Sequence, residues 1–181
     1  MNPLKATVAL LLPLAFTGCI SILPQSESST VNPWSSYQEM QDMFNSIIPN
    51  KTTVNDLKAL KLDPHANPNI VILNYSDILR RFIPSPSINA NDLDKGVQEC
   101  IQAKMACEGY EINQTIMVTN RYGNFLIDFL NFKRQTNIVG WRFNGILLIK
   151  DNVVIYKLTS GEPSVHKNEE HLNPLGPLQI F

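Results

Sequence analysis

Cysteine and histidine are the residue types in this chain whose positions could support chemistry. Cys100 and Cys107 stand seven residues apart with no histidine near either. Two thiols alone do not complete a four-ligand zinc shell. In an exported chain such a pair favours a disulfide, worth about 2.5 kcal/mol when it closes so short a loop. The alternative is two free buried thiols. Seven helical steps cover about 10 Å, whereas a disulfide holds its Cα atoms about 4.4–6.8 Å apart. A helix holding Cys100 must therefore end before Cys107, with Gly109 supplying a permissive backbone beyond the turn. His166 and His171 are five apart, between Pro163 and Pro174, in a stretch that reads as loop. Zinc-binding pairs on a helix stand four apart. His65 has no sequence partner. Neither a Gly-x-Ser-x-Gly elbow nor a glycine-rich loop leading into Lys-Ser/Thr occurs. Glu169 and Glu170 are merely adjacent. These observations assign no catalytic residue, no metal ligand and no cofactor, and the expectation is a protein that is not an enzyme.

Cys19 ends a different pattern. Lys5 is a short basic start, 6–16 is apolar apart from Thr7 and Pro13, and Thr17-Gly18 places small residues before the cysteine. That is the layout of an export signal, and the run is shorter than the roughly 20 apolar residues that span a bilayer. Its end resembles a bacterial lipobox, in which the cysteine is acylated and becomes the first residue of the mature chain. The resemblance implies a signal peptide over 1–18, a membrane anchor of acyl chains such as palmitate on Cys19, and a periplasm-facing lipoprotein. Ile20 stands where enteric bacteria use Asp to keep a lipoprotein in the inner membrane, so the expected location is the bacterial outer membrane. An ordinary secreted protein with an incidental cysteine is the alternative. Each buried CH₂ of an acyl chain contributes about 0.8 kcal/mol, so two or three long chains hold stably.

Fifteen basic and sixteen acidic residues nearly balance in the 181-residue chain. That argues against nucleic-acid binding and against a polybasic membrane patch. The length after the signal suits one domain with a full core.

The elements that must position these residues follow from periodicity. Residues 19–32 are mostly polar and serine-rich, a flexible tether. Beyond it, 33–165 is expected to be a single α+β domain and 166–181 an extended C-terminal tail. Trp34, Tyr37, Met40, Phe44, Ile47 and Ile48 recur at helical spacing behind Pro33 or a Ser36–Glu39 capping box, and read as core rather than as a ligand box. A second helix starts at Thr52 or Thr53, turns Val54, Leu57 and Leu60 inward and stops at Asp63-Pro64. The run Ile70–Leu73 is too short for its period to separate strand from helix. A short helix capped by Ser76 or Asp77 runs to Phe82, with Arg80-Arg81 a solvated face rather than a lipid-phosphate contact. Leu93, Val97, Cys100 and Ile101 form another helical stripe.

The remainder reads as β-rich. Residues 110–119 form a strand. Between 125 and 135 the polar residues Asn124, Asp128, Asn131 and Gln135 fall at steps of four, three and four, one face of a helix, with strand as the alternative. Residues 138–158 form a hairpin turning at Asp151-Asn152. One face carries Trp141, Phe143, Leu147, Ile149, Val154, Tyr156 and Leu158, with Gly145 leaving room for a close neighbour. The other carries Ile146, Leu148 and Ile155, too apolar to stand in water. The 125–135 segment, the 93–101 helix or a partner must cover them. Phe125, Phe129, Phe132, Ile146, Leu148 and Ile155 are thus the candidate interaction surface.

From Ile48-Pro49-Asn50-Lys51-Thr52-Thr53-Val54 through Leu60, and at Leu62-Asp63-Pro64, the chain resembles the Gly-x-Thr-x-x-x-Val helix entry and Leu-Gly-x-Pro exit of the SmpA/OmlA-like outer-membrane lipoproteins. Residues 143–156 are similar to that family's final hairpin. Asn50 stands where the family has glycine, and about forty further residues separate the helix pair from the first confident strand. The resemblance implies an N-terminal helix pair packed on a 3–4-stranded antiparallel sheet, here with a helical insertion between helices and sheet. It also implies an envelope assembly, integrity or scaffold factor acting through protein–protein contacts with an envelope partner. A periplasmic ligand-binding or enzyme-inhibitor module is the alternative.

Overall fold

The computed structural model describes residues 25–29 and 33–179. The expected signal peptide and Cys19 lie outside them. The chain is a mixed helix-and-sheet protein: β1 (Gln25–Ser29), α1 (Tyr37–Asn45), α2 (Val54–Ala59), β2 (Ile70–Leu73), α3 (Tyr75–Phe82), α4 (Lys95–Ala103), β3 (Cys107–Tyr122), α5 (Phe125–Phe129), β4 (Lys133–Lys150) and β5 (Val153–Leu172). The strand order is β1-β3-β4-β5, and β2 also pairs with β3, antiparallel, with Ile70 opposite Ile112 and Leu73 opposite Gly109.

Two boundaries differ from expectation. Gln25–Ser29, expected as tether, is a strand; pairing with β3 engages the backbone groups of one of its edges despite the polar sequence. Where one domain over 33–165 and a separate tail are expected, the described residues form two compact units. Unit 1 takes in 25–27, Val118–Val139 and 166–179; unit 2 takes in 28–29, 33–117 and Gly140–Val165.

Unit 2 has apolar clusters on both faces of its strands. On one face Met40 and Phe44 of α1 and Leu57 of α2 are buried with Ile112, Phe143, Leu147 and Val154. Ser36 caps α1 by accepting from Glu39 N, but the Glu39 carboxylate turns to Ser35 N and Oγ instead of closing the box. Thr53 and Asp56 complete a capping box on α2. A Cβ on Gly145 would lie 2.7 Å from the Phe44 ring, so glycine there lets α1 approach the strands closely.

On the other face Ile78 of α3 and Val97 and Cys100 of α4 are buried with Leu73, Leu148 and Ile155. Asn74, rather than Ser76 or Asp77, is the N-cap of α3, and Asp77 closes its capping box. The disulfide joins Cys100 to Cys107 with Cα atoms 5.3 Å apart. The helix does end first, at Ala103. The permissive backbone is at Lys104 (φ 51°), not Gly109.

Asp151 and Asn152 both take positive φ, as the tight hairpin turn requires. The alternation of β5 then slips. Val154 lies in the α1-side cluster, Ile155 and Tyr156 both lie on the α3/α4 side, and Lys157 reaches back to α1. Two successive residues on one side is the mark of a bulge. A Cβ on Gly96 of α4 would lie 2.6 Å from Ile155 O, so α4 seats directly on that step. Tyr156 and Leu158, expected beside Trp141, consequently turn away: Tyr156 meets the Phe82 ring at 5.8 Å and Leu158 lines a cleft with Arg81.

Candidate functional site

The six residues singled out for contact do not form one surface. Leu148 and Ile155 are 0% and 9% exposed and Ile146 is partly buried, packed with the cluster that includes Val97, Ile78 and Cys100. Leu148 and Ile155 are core, and Ile146 packs against them while staying partly exposed. Of the three covers considered, the 93–101 helix is the one found, joined by α3.

Phe125, Phe129 and Phe132 are exposed, and they belong to unit 1. The 125–135 segment is helix only over α5. Leu130 ends it, Asn131 takes φ 58°, and β4 begins at Lys133. Asn124 caps α5 by accepting from Leu126 N and Ile127 N. Its Phe125 and Phe129 rings stack at 5.7 Å, and Leu126 (62%) and Phe129 (72%) stand in solvent. The C-terminal turn Gly176–Gln179 adjoins it. Asn173 N donates to Phe132 O at 2.8 Å, and Gly176 sits against the Phe132 ring. Leu175 and Leu178 (73%) extend the same apolar surface. Ten of the fifteen large hydrophobic residues exposed among the described residues lie in unit 1. We call this surface the crown. Reading 166–181 as an extended tail missed its second half, although Leu172, Leu175 and Leu178 recur every three residues.

The crown contains one buried charge. Between Tyr122 and Phe132 the one charged residue is Asp128. Its side chain is buried, 3.6 Å from both Arg121 Nη1 and Arg134 Nε. Asp128 Oδ2 and Arg134 Nε have no hydrogen-bond partner. Outside this cluster Lys133 Nζ meets Glu170 Oε1 at 3.1 Å, and Gln135 Nε2 donates to the other oxygen of the same carboxylate. Those contacts hold the Glu170 carboxyl below its ordinary value.

In unit 2, Arg81, Glu111, Asn113, Asn144, Ile146 and Leu158 line a cleft of about 250 Å³. Arg81 pairs with Glu111 at 2.6 Å and Arg80 with Asp77, so the arginine pair is engaged within the chain. His166 and His171, expected in a loop, lie on β5, where a five-residue spacing sends them to opposite faces. Among the described residues no cluster of His, Cys, Asp or Glu could hold a metal ion, and no helix is long and apolar enough to cross a membrane. Comparison with models of protein families, with curated proteins and with solved structures gave no match.

Proposed function

We propose that this chain is an outer-membrane lipoprotein, anchored through acyl chains on Cys19 and facing the periplasm. On this reading it is a non-enzymatic assembly, integrity or scaffold factor of the cell envelope, presenting unit 2 to protein partners. One observation carries the reading. The start of β1, six residues beyond Cys19, belongs to the same unit as the exposed apolar crown. The helix pair on one side of the strands supports the SmpA/OmlA-like likeness, with α3 and α4 as additions on the other side. Crosslinking in native membranes tests it. Reproducible protein adducts on unit 2, lost when the membranes are denatured first, are expected. A chain that forms no adducts but turns over a small molecule contradicts the scaffold reading.

The cleft beside Arg81 favours a second reading, a binding module for a small polar ligand. Asn113 and Asn144 offer donors and acceptors around an Arg–Glu pair. A ligand that raises the melting temperature of the native protein but not of Asn113→Ala would support it.

A further inference from the structure

We infer that the crown is a second membrane contact, with its apolar side chains inserted in the leaflet that carries the acyl chains and the Arg121 and Arg134 guanidiniums at anionic phospholipid headgroups. This rests on the lipoprotein reading above.

Gln25 lies six residue steps beyond Cys19, and a chain spans at most about 3.3–3.6 Å per residue. An acylated Cys19 therefore holds the start of β1 within about 20 Å of the headgroups. The first residues of β1 belong to unit 1, and so does the crown.

The exposed face of the crown carries no charge, because Asp128 is buried. Around it, Arg121 and Arg134 share that single carboxylate. Two guanidiniums against one carboxylate leave one positive charge at the rim, while Lys133 is balanced by Glu170 and Lys167 by Glu169. Aromatic and leucine side chains above a cationic rim match an anionic lipid interface. The interaction is made by side chains at a tip, since α5 is only five residues long.

The test uses the full chain carrying Cys19→Ser, so that no acyl chain contributes. Phe129→Trp is added as a reporter; Trp34 and Trp141 are buried and supply a constant background. With vesicles of phosphatidylethanolamine and phosphatidylglycerol, the expected results are co-sedimentation, a blue-shifted emission from the reporter indole and its quenching by acyl-brominated lipid. Binding should be weaker on phosphatidylcholine alone. Leu126→Ser with Phe129→Ser should reduce binding to the acidic vesicles by about tenfold or more. Both sites are exposed, so this variant folds, and far-UV circular dichroism verifies that. Absence of co-sedimentation, binding unchanged by the two serines, or a blue shift that appears only with added envelope protein overturns the inference. Acylation of the wild-type chain is read separately, from the mass of its N-terminal peptide. An unacylated Cys19 therefore defeats the anchor without being confused with failure of the crown.

Discussion

Lys157 Nζ donates to the Ile47 carbonyl at 2.6 Å, and Phe44 O and Asn45 O accept from the same ammonium at 3.1 and 3.0 Å. A lysine on β5 thereby closes the C-terminal end of α1, where unsatisfied carbonyls and the helix dipole both favour a cation. Lys157→Met keeps the stem but leaves those carbonyls without this donor. It should lower unfolding free energy by about 1–3 kcal/mol in urea titrations. An unchanged midpoint would show that water serves the carbonyls equally well.

Gln114 is fully buried on β3, and neither its Oε1 nor its Nε2 has a partner. Unpaired buried amide groups are destabilising, so a near-isosteric apolar replacement should help. Gln114→Met should raise stability by about 1 kcal/mol or more, read as a higher thermal midpoint. A lower midpoint would show that the amide is satisfied by buried water.

Ile155 and Leu126 make opposite predictions. Ile155 lies under α4, so Ile155→Asp buries an unpaired carboxylate and should unfold unit 2. Leu126→Asp places the same charge in solvent and should leave the melting curve within about 0.5 kcal/mol of wild type. Circular dichroism melts of the two variants separate core from surface.

Acid should loosen the helix starts. Hydrogen bonds from Ser35 hold the Glu39 carboxyl below its ordinary value; Thr53 does the same for Asp56, and Arg80 with the Asn74 backbone for Asp77. The unfolded chain takes up protons at these carboxyls near 4.5 and 3.8, while the folded chain resists until lower pH. Stability from these groups is therefore complete above the unfolded values and is lost as pH falls through the folded ones. Thermal midpoints should drop below about pH 4.5, and Asp56→Asn should flatten part of that slope. An identical acid slope in the variant would contradict the capping account.

Much of unit 2 was legible because local rules suffice there. The α1 stripe as far as Ile47, the start of α2 behind Thr53, the Asp151-Asn152 turn and the space at Gly145 each need only a few neighbouring residues to be read, whereas the Ser36–Glu39 box does not close and Ile48 is exposed. The slip at Ile155–Tyr156 was not legible, since it depends on α4 approaching from about sixty residues away in the chain. Neither was the strand character of Gln25–Ser29 or of His166–Leu172, where backbone pairing overrides a polar sequence. The crown was half legible. Its phenylalanines stood out, but their helical period over 125–135 concealed a helix of one turn followed by a strand. Cover for Ile146, Leu148 and Ile155 follows from their apolar character, and the 93–101 helix, one of the covers open to the sequence, supplies it; periodicity alone does not choose between that helix, the 125–135 segment and a partner.

Membrane fractionation of Cys19→Ser tests the proposed acyl anchor. Wild-type protein should stay with outer membranes through a salt wash, while the variant appears in the soluble periplasmic fraction. Retention of Cys19→Ser after the wash, at wild-type levels, would contradict it.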